Sequence, residues 1–329
     1  SGGEPTIHPQ ILDMIQAAKD RGIRQVMINT NGVRIARDDR FLEGLAKLNP
    51  VVYFQFDGLR SETYQTLRGE DLLDLKMRAL DRLNDAGLDA VLVAAVERGV
   101  NEDEVGPIIE FGLKHPAVRG VVLQPVTHVG RHIDFDPMER VTIPDVIHGI
   151  VDQTNGRFVL EDFVPVPCCF PTCQVNSYVF VDGDTVVPLP RMLDIDHYLD
   201  YITNRTLPKP PNSADVQKAL EGLWSASAVP GTEKAAGDFQ CACGPGMDLG
   251  YELSHLKDHI FQIAIKDFLD AYTFSVKQVM KCCVGILVPD GRIIPFCAYN
   301  SVGYREAIRD QLTLEQAKSP RPAKLQSKV

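Results

Sequence analysis

No run of this 329-residue chain reaches the roughly 20 consecutive apolar residues that a membrane-spanning helix needs, so no helical span is expected. Basic charge is in deficit. The 34 Lys and Arg against 44 Asp and Glu leave a net charge of -10, which argues against a nucleic-acid partner held through its phosphates. Cysteine is absent before position 168, and the eight that follow include two adjacent pairs. That distribution suits metal ligation better than a disulfide framework, so a reducing cytoplasm is the expected compartment, with peripheral membrane contact left open. A leading Met is lacking too. Ser1 runs straight into Gly2-Gly3-Glu4-Pro5 with no strand or helix before it, which reads as a start inside a longer protein.

What is present is ordinary globular composition, 44% hydrophobic and 24% charged, on a chain long enough for one large domain or two smaller ones. Apolar residues at helical spacing predict a helix from Ile7 to Gly22, with Thr6 as its N-cap and Gly22 as its stop. Strand and helix patterns then alternate. Strands are predicted at Gln25–Asn29, Val51–Phe56, Ala90–Val96 and Gly120–Gln124, and helices at Phe41–Leu48, Leu72–Ala86, Glu102–Lys114 and Ile143–Gln153. This order implies an α/β fold with parallel strands joined by right-handed crossovers. Asn101 is expected to cap the helix whose first turn holds Glu102, Asp103 and Glu104.

Near Phe158 the sequence turns Pro-rich, Cys-bearing and irregular, which sets domain boundaries at residues 1–157 and 158–304, with a tail from 305. Short strands are predicted at Tyr178–Val181 and Gly285–Val288. The second leads through Pro289-Asp290-Gly291 into Arg292–Phe296 as a hairpin. Leu253–Met280 contains neither Pro nor Gly and reads as one or two helices, Thr203–Ala236 as loop, and Lys318 onward as disordered.

Ligands in parallel α/β sheets gather at the carboxyl ends of the strands. Those ends here read Thr30-Asn31-Gly32, Gln55-Phe56-Asp57-Gly58, Glu97-Arg98-Gly99 and Gln124-Pro125. Loops after strands are commonly polar, so no single one of these residues establishes a pocket. Two adjacent glycines at Gly2 and Gly3 let a backbone approach a ligand closely. With Gly2-Gly3-Glu4-Pro5 opening the chain and Asn29-Thr30-Asn31-Gly32 after the next strand, the sequence resembles the radical S-adenosylmethionine (SAM) superfamily. Further segments narrow the resemblance: Glu97 to Glu104, Leu123-Gln124-Pro125-Val126, Arg140 to Asp145, Pro165 to Cys173 and Pro295 to Asn300. They are similar to the subgroup containing tetraether lipid synthase and the pterin-methylating radical SAM enzymes.

The resemblance implies a partial (βα)6 barrel followed by a Cys-rich C-terminal domain. It also implies SAM held by Gly2, Gly3, Glu4 and Pro5, with Asn31, Gln55, Asp57, Arg98 and Gln124 lining the pocket. The family's catalytic [4Fe–4S] cluster sits on a C-x3-C-x2-C loop after the first strand. No such spacing occurs in this chain, so the barrel is expected to lack its first strand and cluster loop here. The implied chemistry is hydrogen abstraction by a 5′-deoxyadenosyl radical and carbon–carbon bond formation on lipid alkyl chains. Methyl or methylene transfer to a pterin is the alternative, and ferredoxin or flavodoxin the implied electron donor.

Read without any family, Cys168, Cys169 and Cys173 share a Pro-rich loop, while Cys241 and Cys243 form a C-x-C. Cys282 and Cys283 end a predicted helix, and Cys297 lies on the hairpin's return. An isolated cysteine is usually a buried, inert thiol, but clusters of this kind suit one or two auxiliary iron–sulfur sites, with zinc as an alternative that sequence does not separate. A zinc-bound scaffold without catalysis, and an ordinary barrel binding phosphate at Gly2-Gly3, stay open beside the enzyme. His8, His128, His132 and His197 have no paired metal spacing and read as solvated or core residues.

Overall fold

Four strands, β1 (Met27–Thr30), β2 (Val51–Gln55), β3 (Ala90–Val96) and β4 (Val118–Pro125), lie side by side in parallel, in the order of the chain. The computed structural model describes residues 3–23, 25–129, 136–166, 170–191 and 259–318. Helices α1 (Ile11–Asp20), α2 (Val33–Arg37), α3 (Asp39–Leu48), α4 (Ser61–Arg68), α5 (Leu73–Asp85), α6 (Val105–Lys114) and α7 (Ile143–Gln153) lie between and after the strands. The α/β alternation expected from the sequence is therefore present. The short α2 and α4 were not expected, because five and eight residues carry too little periodicity to read.

The described residues form two compact units. The larger holds residues up to Val126 and those from Asp136 to Asp267; the smaller holds Thr127–Val129 and those from Phe268 onward. Beyond Phe158 the larger unit adds β5 (Val164–Pro165), β6 (Gln174–Asp182), β7 (Thr185–Pro188) and β8 (Ile260–Lys266) to the same sheet. Strand β8 pairs parallel with β4, and β6 pairs antiparallel with β8, giving eight strands in all. The sheet thus runs across the change in composition.

Three expectations are corrected. Within the stretch read as helix from Leu253, Ile260–Lys266 is a strand, because Phe261, Ile263 and Ile265 alternate with Gln262, Ala264 and Lys266. The opening helix starts at Ile11; Pro5–Ile7 form a separate 3-10 turn, and Thr6 is held by Glu4 in place of capping the helix. Pro9 disfavours helical backbone at His8, which places the start after it. Lastly, Tyr304–Lys318 is a helix and not a tail. Thr203–Ala236 and the residues after Lys318 lie outside the described residues.

One face of the sheet builds the core. Val52, Phe54, Leu92, Val121, Leu123, Ile263, Ile265 and Val175 join Leu45 of α3, Leu80 and Leu83 of α5, Ile108 of α6 and Ile150 of α7 in one buried cluster. Alternation sends the intervening strand residues to the other face, which matters below. In the smaller unit β9 (Gly285–Leu287) and β10 (Ile293–Pro295) make the antiparallel hairpin expected from the sequence. It packs with α8 (Val276–Val279), α9 (Phe296–Ser301) and α10 (Tyr304–Lys318) around Val288, Ile294, Ala298 and Ile308.

Candidate cofactor site at the strand ends

Glu4 anchors the opening loop to the end of β1. Its Oε1 accepts from the Thr6 N–H at 3.0 Å, the Thr6 hydroxyl at 2.6 Å and the Thr30 hydroxyl at 2.7 Å, and its Oε2 accepts from the Asn31 N–H at 2.7 Å. Burial alone would raise this carboxyl, but the donors from Asn31, Thr6 and Thr30 together hold it below the usual carboxylate range. Glu4 is a fixed anion at the carboxyl edge of the sheet. Beside it, a side chain added at Gly3 would meet nothing within 4 Å, so the backbone faces open space.

The turn after β1 is held from both sides. Asn31 accepts from the Val33 N–H through its side chain at 3.0 Å, and Gly32 adopts φ +78° directly against the Phe54 ring, with which a Cβ would clash. From beneath, the Asn31 carbonyl accepts from Lys76 Nζ at 2.7 Å. Lys76 is 0% exposed. Its ammonium lies 5.3 Å from the Phe54 ring centroid and 3.3 Å from one end of the Gln55 amide, the other end of which abuts Arg68, so the amide stands between two cations and its oxygen faces one of them. Burial pushes the Lys76 ammonium down to about 8, with Asp57 and Glu4 pulling the other way and Arg68 adding to the depression.

Asp57 turns inward and is fully buried. Arg68 Nε and Nη2 donate to its two oxygens at 2.8 and 2.7 Å, and the Ala95 N–H donates at 3.1 Å. Asn101 stands at the N-cap position before Glu102, as expected, but its side chain does not cap the helix. Its amide donates to the Asp57 and Ala95 carbonyls, both at 2.7 Å, and accepts from the Glu97 N–H at 2.9 Å, tying the ends of β2 and β3 together. The acidic run is likewise more than a helix start. Glu104 accepts from the Leu59 N–H at 2.5 Å and from the Thr63 hydroxyl, and Arg60 pairs with Asp103 and Glu104. Asp57 therefore braces the loop after β2 and does not present a carboxylate to a ligand.

Arg98 also departs from expectation. Its guanidinium donates to the Arg140 carbonyl and to Asp145, both at 3.2 Å, beside the start of α7, in a separate cleft of about 290 Å³ lined by Glu102, His148 and Asp152. Gln124, by contrast, lies on the sheet face turned away from the core and hydrogen-bonds Tyr53, whose hydroxyl burial pushes up to about 12.

Comparison with known proteins bears on this edge. Residues 1–112 match the model of the Radical SAM superfamily. Over 95% of its length the chain is 30% identical to a 7,8-dihydro-6-hydroxymethylpterin dimethyltransferase of Methanocaldococcus jannaschii, covering 68% of that protein. It is also 35% identical over 38% of its length to the GTP 3′,8-cyclase of Chlorobaculum tepidum, of which it spans 38%. A solved domain of pyruvate-formate lyase-activating enzyme from Bacteroides vulgatus superposes with a TM-score of 0.35 at 18% identity, covering 46% of this chain and 91% of that one. The chain belongs to the radical SAM superfamily of enzymes.

The radical SAM family uses SAM and a [4Fe–4S] cluster, and the strand edge fits the first of these. An open backbone at Gly3 and an ionised carboxylate at Glu4 suit the methionyl ammonium of SAM, and Pro5 starts the 3-10 turn that fixes them. Gly2 lies outside the described residues. No group of three or more His, Cys, Asp or Glu gathers at metal-binding distance among the described residues. Cys168, Cys169, Cys241 and Cys243 lie outside that set. Of the other four, Cys297 is buried with its Sγ accepting from the Leu269 N–H at 3.3 Å, Cys282 Sγ lies 3.2 Å from the Val284 carbonyl, Cys283 is exposed and Cys173 is half-buried.

Lys76, Arg68 and Tyr53 did not stand out in the sequence. The signal for Lys76 was available: it occupies the apolar stripe of α5 with Ala79, Leu80 and Leu83, where a lysine must end buried. Nothing comparable marks Arg68 or Tyr53, each of which is one polar residue on a half-buried element.

Proposed function

We propose that this radical SAM enzyme transfers one-carbon groups to a polar heterocycle of the pterin type. Support comes from the sheet face turned away from the core. Register places Gln262 between Gly120 of β4 and Tyr178 of β6, and Lys266 beside Gln174. Lys266 Nζ donates to the Gln174 amide at 3.1 Å, which donates onward to Asn176 at 2.9 Å. With Tyr53, Gln55 and Gln124 this face carries amides, phenols and one ammonium.

That lining carries the proposal, because an alkyl chain laid against these groups would desolvate them at about 1–3 kcal/mol each and offer no hydrogen bond in return. A planar lactam with its own donors and acceptors would pair them. The 30% identity to a pterin dimethyltransferase agrees, so the pterin alternative is preferred to carbon–carbon bond formation on lipid chains. SAM, when bound, supplies the radical and methyl chemistry of the family. Glu4 and the Gly3 backbone hold its methionyl end, and the polar face orients the heterocycle. Auxiliary clusters on the cysteines and reduction by a ferredoxin or flavodoxin belong to the same proposal. No described helix is long and apolar enough to cross a membrane.

The test is equilibrium titration with 7,8-dihydro-6-hydroxymethylpterin and, separately, with a long-chain diether lipid in detergent. Pterin binding that falls about tenfold in both Gln124→Leu and Gln262→Leu supports the reading. Lipid binding that is unchanged or tighter in those variants, with no pterin binding by the parent, refutes it.

A further inference from the structure

Lys76 is a fully buried cation that the SAM chemistry does not call for directly, and it touches the cofactor edge through the Asn31–Gly32 peptide, whose carbonyl accepts from its Nζ at 2.7 Å. The N–H of that peptide, on Gly32, donates to the Thr30 hydroxyl at 3.1 Å. On the other side of the Asn31 Cα, the Asn31 N–H donates to Glu4 Oε2 at 2.7 Å. A cation and an anion thus hold opposite ends of the short segment after β1, with Thr30 supplying a second link to Glu4 at 2.7 Å. The lysine cannot turn to water: α5 presents it from below, the Phe54 ring lies along it, and Gln55 occupies its third side. The charged groups that face it are Glu4 from the opening loop, Asp57 after β2 and Arg68 of α4.

We propose that Lys76 is a positioning residue for SAM: by fixing the Asn31 carbonyl it sets the Gly32 N–H of the same peptide against the Thr30 hydroxyl, which in turn aims the Glu4 carboxylate at the methionyl ammonium. This rests on reading Glu4 as the SAM-binding carboxylate. The ammonium polarises the Asn31–Gly32 peptide and so strengthens the Gly32–Thr30 hydrogen bond and, through the Thr30 hydroxyl, the bond to Glu4, a charge-assisted chain three bonds long. Without it the carboxylate keeps its charge but loses its fixed direction. The depressed proton affinity of Lys76 adds a corollary: the support weakens as pH rises past about 8.

The experiment is equilibrium dialysis of SAM against the chain, with Lys76→Met, Glu4→Gln and the double variant, folding being checked by circular dichroism. Lys76→Gln runs alongside, so that a folding failure of one substitution does not decide the outcome. Substituting Lys76 is expected to weaken SAM about tenfold at pH 7, and by less than about twofold once Glu4→Gln is present, because the lysine acts through that carboxylate. The ratio of parent to Lys76→Met affinity should shrink from pH 7 to pH 9.5, and taking the ratio cancels titration of SAM's own ammonium. Equal affinities of parent and Lys76 variants overturn the inference alone, as does an equal loss in both Glu4 backgrounds. Absence of SAM binding by the parent overturns the reading of Glu4 and the inference with it.

Discussion

Replacing Lys76 with Met should change how stability depends on pH in a defined alkaline window. In the folded chain the Lys76 ammonium ionises near about 8, against the usual lysine value of 10.5. Between those values the unfolded chain binds more protons than the folded one, so stability rises with pH. At about 1.36 kcal/mol per pH unit the gap corresponds to about 3 kcal/mol, gained progressively from pH 8 to pH 10.5. Lys76→Met removes this contribution. At pH 7 it also removes the cost of a buried charge while leaving the Asn31 carbonyl without its donor, two effects of about equal size and opposite sign. Urea unfolding followed by circular dichroism at pH 7, 8, 9 and 10 gives the stability difference between parent and variant, in which other titrating groups cancel. That difference should grow by about 3 kcal/mol in favour of the parent across the window. A difference that stays flat within 0.5 kcal/mol or so would refute the assignment of a buried, charged lysine.

At the acid end stability again rises with pH, here because the fold favours the charged form. Glu4, held below its usual value of 4.5, contributes stability that is complete above that pH and lost as pH falls through its folded value. Glu4→Gln should therefore flatten the acid limb of the stability curve measured by urea titration. Asp57→Asn leaves Arg68 facing an amide in a largely buried pair and should cost about 2–4 kcal/mol by the same assay, discounted because Arg68 is 31% exposed. The double change Asp57→Asn with Arg68→Met should cost less than the single one. Iron, zinc and sulfide measured after anaerobic reconstitution should show iron and sulfide in matching amounts. Both should fall in Cys173→Ala and Cys297→Ala; zinc without sulfide would replace the iron–sulfur reading.

How much of this was legible in the sequence depended on whether a residue's role was local. Strand Ala90–Val96 and helix Ile143–Gln153 emerge with their predicted bounds, because a continuous apolar run and a Thr142–Asp145 capping box act within one element. Ile260–Lys266 was misread since a seven-residue alternation is easily lost inside a longer stretch without Pro or Gly. In the site, Glu4 and Asn31 were legible as residues but not as a pair, because 27 positions separate them and only the fold joins them. Asp57, Arg98 and Asn101 stand after strands as ligand residues do. Their side chains serve the scaffold instead, a difference decided by partners from α4, α7 and the loop after β3.

Two pairs of opposite charge under one sheet edge, each with one fully buried member, call for a physical reason, since isosteric apolar side chains would usually stabilise at least as well. Asp57 with Arg68, and Glu4 with Lys76, meet at the ends of β1 and β2. The first pair is direct and the second is separated by the Thr30–Gly32 segment. Direct pairing neutralises a charge, whereas pairing through that segment leaves the Glu4 carboxylate ionised and still able to take a cation. An apolar replacement for Lys76 would be tolerated by the fold and would lose that arrangement. The lysine is therefore better understood as stability given up for a prepared anion than as a structural ion pair, and the two measurements on Lys76→Met separate these accounts. A structural pair predicts lower stability at pH 7 with SAM affinity unchanged. A prepared anion predicts little change in stability at pH 7 and a tenfold loss of affinity or thereabouts.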